Sequence, residues 1–217
     1  MRVGWALAYY YTFTWCGQPI LQLPEDLVRF QEVVSSLQPD VIIETGIHLG
    51  GSLLFHATLC EALGKGRVIG IDRSIDSDTR SALTSHRLSP RIAIVEGDST
   101  APATVAQVRN HVRPGESVLV ILDSDHSCAH VARELEAYAP LVTPGSCIIA
   151  TDGVMRDLAD VPGGAASWIE DNPATAARQF LAHHPEFEMH PPAWRFNRGP
   201  LREAITYWPN AWLWRKA

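Results

Sequence analysis

Residues 41–52, VIIETGIHLGGS, carry a short β-rich apolar run, an acid at Glu44, glycines at Gly46, Gly50 and Gly51, and the start of an apolar helix at Ser52. Gly46 allows a turn without Cβ conflict, Gly50 and Gly51 let a ligand approach the backbone, and the helix beyond offers its positive N-terminal end. Strand, glycine loop and helix in that order read as a cofactor-binding βα unit. The spacing E-x-G-x-x-x-G-G is not the G-x-G-x-x-G dinucleotide fingerprint, because Glu44 stands where its first glycine belongs. An acid there repels a pyrophosphate and favours a cationic ligand. S-adenosylmethionine, with an ammonium, a sulfonium and no phosphate, meets that requirement, and a nicotinamide cofactor does not.

Outward from this loop, four more β-rich runs follow the first, at 67–72 (RVIGID), 91–96 (RIAIVE), 118–123 (VLVILD) and 147–152 (CIIATD), each ending in an acid. Helical spacing fills the intervals at 24–37, 52–63, 79–86, 104–112, 128–139 and 172–183. Alternation of this kind builds a parallel sheet with helices on both faces, whose ligands sit beyond the carboxyl ends of the strands. For any single strand-end acid, a helix cap or turn is explanation enough. The recurrence at one topological place points to a lined crevice. Asp72 lies 21 residues past Gly51, the offset at which an acid meets a ribose hydroxyl. Asp98 and Ser99, in EGDS after the third run, are placed to hydrogen-bond an adenine edge.

The fourth run ends LDSDHS and the fifth ATDG, which sets Asp123 and Asp152 on the same rim and His126 beside them. Two carboxylates with waters suit a hard cation such as Mg²⁺, and an imidazole with a pKa near 6.5 suits a proton acceptor at neutral pH. Asp123 and His126 are thus the catalytic candidates, and Asp123 and Asp152 the metal candidates. The alternative for His126 is an imidazole packed at the start of a helix capped by Ser124, Asp125 or Ser127. His48 reads as an exposed loop residue. His130 reads as a surface residue, for want of an acidic partner at metal-ligand spacing.

The 217 residues suffice for one domain with a sizeable core, so 1–217 is read as one unit. Residues 1–23 form an aromatic N-terminal segment, and 187–217 a tail that either completes the sheet or forms an interface. Charge sums to −6 (18 Lys and Arg against 24 Asp and Glu), which argues against a nucleic-acid or membrane-surface partner. Four scattered cysteines form no C-x-x-C pair, the first residues make a poor secretory signal, and no window suits a membrane span; a cytoplasmic setting is expected. Tyr9, Tyr10, Tyr11, Phe13 and Trp15 crowd one end, and Tyr207, Trp208, Trp212 and Trp214 the other. Such rings cover a bound acceptor, join subunits into a homo-oligomer, or fill the core.

The segments WCGQPILQLPEDLVRFQEVV, DVIIETGIHLGGS, GRVIGIDR, RIAIVEGDS, VILDSDHSCAHVARELEAYAPLV and NPATAARQFLAHHPEFEM, in that order between Trp15 and Met189, resemble the cephalosporin hydroxylase / rhamnosyl O-methyltransferase family. The resemblance implies a class I methyltransferase fold, Rossmann-like with a mostly parallel seven-stranded sheet. It also implies S-adenosylmethionine as donor, Mg²⁺ assistance and a small-molecule acceptor, often a sugar hydroxyl of a natural product. Position by position, Glu44, Gly46, Asp72 and Asp98 match cofactor motifs, Asp123 and Asp152 match metal positions, and His126 matches the base. Thr151 stands where the family carries a Glu, which implies a weaker metal site unless a hydroxyl, water or substrate oxygen compensates. That departure leaves room for the alternative of a non-catalytic cofactor-binding accessory protein in a biosynthetic pathway.

Overall fold

A computed structural model describes residues 1–217. In chain order it has helix α1 (Arg2–Ala6), strands β1 (Thr14–Trp15) and β2 (Gln18–Pro19), α2 (Pro24–Leu37), β3 (Val41–Thr45) and α3 (Gly51–Ala62). Then come β4 (Arg67–Asp72), α4 (Ser77–Ser85), β5 (Ile92–Glu96), α5 (Pro102–Asn110), β6 (Val118–Leu122) and α6 (Cys128–Tyr138). The chain ends with β7 (Cys147–Ala150), α7 (Pro173–Leu181), β8 (Phe187–Met189) and β9 (Trp212–Arg215). Seven strands form one sheet in the order β5-β4-β3-β6-β7-β9-β8, with β9 antiparallel to both neighbours and the other pairings parallel. The five parallel strands are those expected from their Val- and Ile-rich runs. No helix is long and apolar enough to cross a membrane.

Both faces of the sheet are covered, which explains the uninterrupted apolar runs in its central strands. Along β3, Ile42 packs into the core beneath α2 and α3, while Val41 and Ile43 pack into the opposite core with α5, α6 and α7. Helix boundaries follow local chemistry. Pro24 opens α2 and Glu25 and Asp26 fill its first turn, where a missing N–H and negative charge are both favourable. Asn172 caps α7 by accepting from the Thr175 amide at 2.9 Å, ahead of Pro173 in the first turn.

One feature was not anticipated, and the C-terminal tail takes one of its two expected forms. Cys16 and Gly17, both at positive φ, turn the chain between β1 and β2, and Trp15 Nε1 donates to Thr58 Oγ1 at 3.1 Å, fastening this hairpin to α3. At the other end, β8 and β9 lie within residues 187–217 and extend the sheet beyond β7. Trp208 and Trp212 are buried there, so the C-terminal aromatics largely fill the core.

Candidate functional site

The strand order reverses between β3 and β6, and the connections leaving these two strands diverge around a cavity of about 500 Å³. Gly46, just past β3, meets the chain just past β6 there. It has φ +90°, and a Cβ on it would lie 2.0 Å from the Asp123 backbone oxygen, so no other residue fits. Gly51 presses against the N-terminal segment in the same way, since its Cβ would fall 2.2 Å from the Pro19 carbonyl oxygen.

Of the residues singled out in the sequence, Gly46, Gly51, Ser52, Asp72, Asp98, Ser99, Asp123, His126 and Asp152 line this cavity. Glu44 and Gly50 do not. Glu44 is fully buried, with Oε2 at 3.4 Å from Nδ1 of the buried His56, so its carboxylate lies behind the cavity wall. Alternation along β3 turns the side chain at 44 under the loop rather than into it. Gly50, at φ +83°, ends the loop turn ahead of α3 and packs against Leu83 of α4.

Asp72 lines the cavity and also builds it. Its Oδ2 accepts from the backbone amides of Ile47 and His48 at 2.9 and 3.0 Å, and its Oδ1 from that of Ser74 at 3.2 Å. One carboxylate therefore fixes the glycine loop against the end of β4. Asp98 Oδ1 accepts from the Thr100 amide and hydroxyl, both at 2.8 Å, and these bonds with the nearby Arg73 hold its carboxyl below the usual range.

Ser99 departs from expectation: its hydroxyl turns inward and donates to Glu134 Oε1 at 2.5 Å, with His130 Nε2 at 3.1 Å. In this arrangement the Ser99 hydroxyl is engaged by Glu134 and His130. His130 is no surface residue; it is buried at the cavity wall, with Nε2 at 3.4 Å from Glu134 Oε1. The signal was present as H-x-x-x-E, which puts both side chains on one helix face.

The cluster at the ends of β6 and β7 is tight. Ligand atoms of Asp123, His126 and Asp152 all lie within 4.8 Å of one another, a spacing and donor set that fit one divalent cation. His126 Nε2 is 3.5 Å from Asp152 Oδ2. Burial, followed by mutual repulsion, pushes the Asp123 carboxyl up, and burial does the same to Asp152. Burial alone would depress His126, but the charges of Asp152, Asp123 and Asp125 outweigh it and favour the imidazolium.

One supporting residue was missed in the sequence, and Thr151, already marked out at the metal site, takes a different place from the Glu it replaces. Gln22, nearly buried in the N-terminal segment, donates from Nε2 to Asp123 Oδ2 at 2.6 Å. The Thr151 hydroxyl hydrogen-bonds Asp123 Oδ1 and sits 2.9 Å from the Leu122 carbonyl oxygen. Thr151 is fully buried, so it braces Asp123 from behind instead of facing the cavity. Nothing in the motif spacing signals Gln22, because its place depends on how residues 1–23 cross the strand ends.

A family model described as Rhamnosyl O-methyltransferase/CmcI matches residues 7–216. A protein of Mycobacterium leprae (strain TN) named Rhamnosyl O-methyltransferase is 35% identical over 144 residues, covering 65% of this chain and 60% of that protein. The chain thus spans about three fifths of the length of that relative. Among solved structures, CmcI with Mg and SAM is 19% identical, covers 95% of this chain and 78% of that one, and superposes with a TM-score of 0.62. MycE methyltransferase, from the mycinamycin biosynthetic pathway, in complex with Mg, SAH and mycinamycin VI, is 17% identical and covers 100% of this chain and 55% of that one, with a TM-score of 0.55. At these identities the likeness is one of fold.

Proposed function

The chain belongs to the rhamnosyl O-methyltransferase/CmcI family, and from that membership we propose that it transfers a methyl group from S-adenosylmethionine to a hydroxyl of a small molecule, with Mg²⁺ assistance. A sugar of a natural product is the acceptor class the reading favours, in line with the names of the mycobacterial relative and of MycE. The observation that carries the proposal is one continuous cavity, in which the glycine loop and Asp72 and Asp98 meet the Asp123, His126 and Asp152 cluster.

The cofactor supplies an electrophilic methyl on a cationic sulfur, whose S–C bond electrons remain on sulfur after transfer, and the metal supplies positive charge that favours ionisation of the acceptor hydroxyl. Asp123 and Asp152 would hold the metal. Asp72, Asp98 and the backbone of the glycine loop bind and orient the nucleoside half. His126 takes the acceptor's proton from its neutral form, which a divalent cation at Asp123 and Asp152 would favour by offsetting their charge, and Asp152 Oδ2, 3.5 Å from Nε2, steadies the resulting imidazolium. Glu44 acts at one remove: its buried charge beneath the loop adds to the negative field of the crevice, as its influence on Asp123 indicates.

The test pairs turnover with binding. His126→Ala is expected to lower methyl transfer by about 100-fold or more while leaving calorimetric affinity for S-adenosylhomocysteine unchanged. Undiminished turnover in that variant removes His126 as base. Cofactor binding by the wild type without turnover on any acceptor points instead to the accessory-protein reading.

A further inference from the structure

We propose that the N-terminal segment builds the acceptor half of the cavity, where Trp5, Tyr10 and Tyr11 form an aromatic wall that seats the apolar face of a neutral polyhydroxylated ring beside Asp152 and His126. The proposal rests on the methyl-transfer reading above and adds the residues that choose the acceptor.

Three observations converge. First, the three rings line the same cavity as Asp123, His126 and Asp152, whereas the buried C-terminal Trp208 and Trp212 do not reach it.

Second, the wall is braced and not a loose tail. Trp5 stacks on Tyr10 with centroids 5.1 Å apart and planes at 26°, and the edges of Trp168 and Tyr207 meet Trp5 at 5.8 Å each. Tyr207 is itself buried. Arg2 ties the segment down from outside through Asp160 Oδ2 at 2.7 Å and the Asp157 carbonyl oxygen at 3.1 Å. Tyr11, tilted against Tyr10 at 4.6 Å, still leaves 59% of its surface free. An aromatic surface fixed in this way presents area to a ligand with little ordering cost.

Third, charge selects what can lie there. Asp72, Asp98, Asp123, Asp125 and Asp152 line the cavity, and Arg73, the sole Lys or Arg among the lining residues, leans on Asp98 at 3.4 Å. Even with a divalent cation held by Asp123 and Asp152, the five carboxylates outnumber the positive charges, and an anionic acceptor would meet net repulsion. A ring with C–H faces and hydroxyl edges has what the site offers: aromatic planes for the faces, carboxylates and tyrosine hydroxyls for the edges.

The experiment uses the full chain with S-adenosylhomocysteine and Mg²⁺, and saturation-transfer NMR with two probes, methyl α-L-rhamnopyranoside and the anionic methyl β-D-glucopyranosiduronate. Ring protons of the neutral glycoside should receive saturation and those of the glucuronide should not. Trp5→Ala and Tyr11→Ala should each weaken the neutral glycoside by about fivefold without changing the calorimetric affinity for S-adenosylhomocysteine. Tyr11 is mostly exposed, so its variant keeps the test intact if Trp5→Ala does not fold. The wall is refuted if both variants bind the glycoside like wild type, if they lose the nucleoside instead, if the wild type binds neither probe, or if it prefers the glucuronide. Failure of the wild type to bind S-adenosylhomocysteine at all would count against the methyltransferase reading beneath it.

Discussion

Asp123 is gripped from two sides, by the Gln22 amide on Oδ2 and the Thr151 hydroxyl on Oδ1, so its orientation is set by one residue outside every motif and one that replaces a motif acid. Partners of this kind usually matter to a metal site nearly as much as its ligands. Gln22→Ala is therefore expected to weaken Mg²⁺ binding by about tenfold or more in a calorimetric titration, and an unaltered isotherm would reduce Gln22 to packing. A different buried acid adds to the pH dependence of stability. Asp26, at the start of α2, accepts from the Tyr207 amide at 2.8 Å and from the Thr206 hydroxyl, and burial lifts its carboxyl to about 7 despite both bonds. Because the folded state then holds a proton that the unfolded state has released, stability falls as pH rises from about 4 toward 7. Asp26→Asn should flatten that slope in denaturant melts at pH 4, 5.5 and 7; an identical slope would locate the pH dependence elsewhere.

At the scale of elements, the decisive contact is between two loops that leave neighbouring strands in opposite directions. Gly46→Ala would drive a methyl group into the Asp123 carbonyl, so the loops after β3 and β6 must part. With the added cost of positive φ in a residue that has a Cβ, the expected loss is about 2–4 kcal/mol in chemical denaturation, and cofactor binding should fall with it. A variant as stable as wild type would mean that the loop is not held where it lies. This contact was half legible in the sequence. The glycine announced a turn and the strand order followed from five β-rich runs, but the identity of the surface that Gly46 touches depends on which strand pairs with β3, which no local pattern states. The same limit explains Glu44. Its position in the motif was plain, yet strand alternation sends its side chain beneath the loop to His56, and only the pleat of the folded strand reveals the side taken. His130 was misjudged for a different reason: the i,i+4 acid at Glu134 was in view, but its burial depends on Ser99 and Ser124 closing over it from other loops. The carboxyl-terminal strands were the least legible. β8 and β9 are three and four residues long and separated by an irregular stretch, so periodicity has too little length to act on.

For the whole molecule, the cavity concentrates acidic side chains at the carboxyl ends of the strands, and the fold carries their repulsion as a standing cost. Asp123 and Asp152 raise each other's free energy in the absence of a cation, and a cation that binds only the folded state must stabilise the entire chain by mass action. At a concentration tenfold above its dissociation constant the gain is about 1.4 kcal/mol, which for a chain of this size corresponds to a rise in Tm of about 3–6 °C. The diagnostic is a crossing of effects. Asp152→Asn removes one of the two opposed charges, so it should raise Tm in chelator relative to wild type, yet lose the increment that Mg²⁺ confers. Thermal scans of both proteins with and without Mg²⁺ make the comparison directly. If Asp152→Asn is less stable than wild type in chelator and still gains from Mg²⁺, the two carboxylates are not the seat of the metal, and their closeness serves the structure of the strand ends alone.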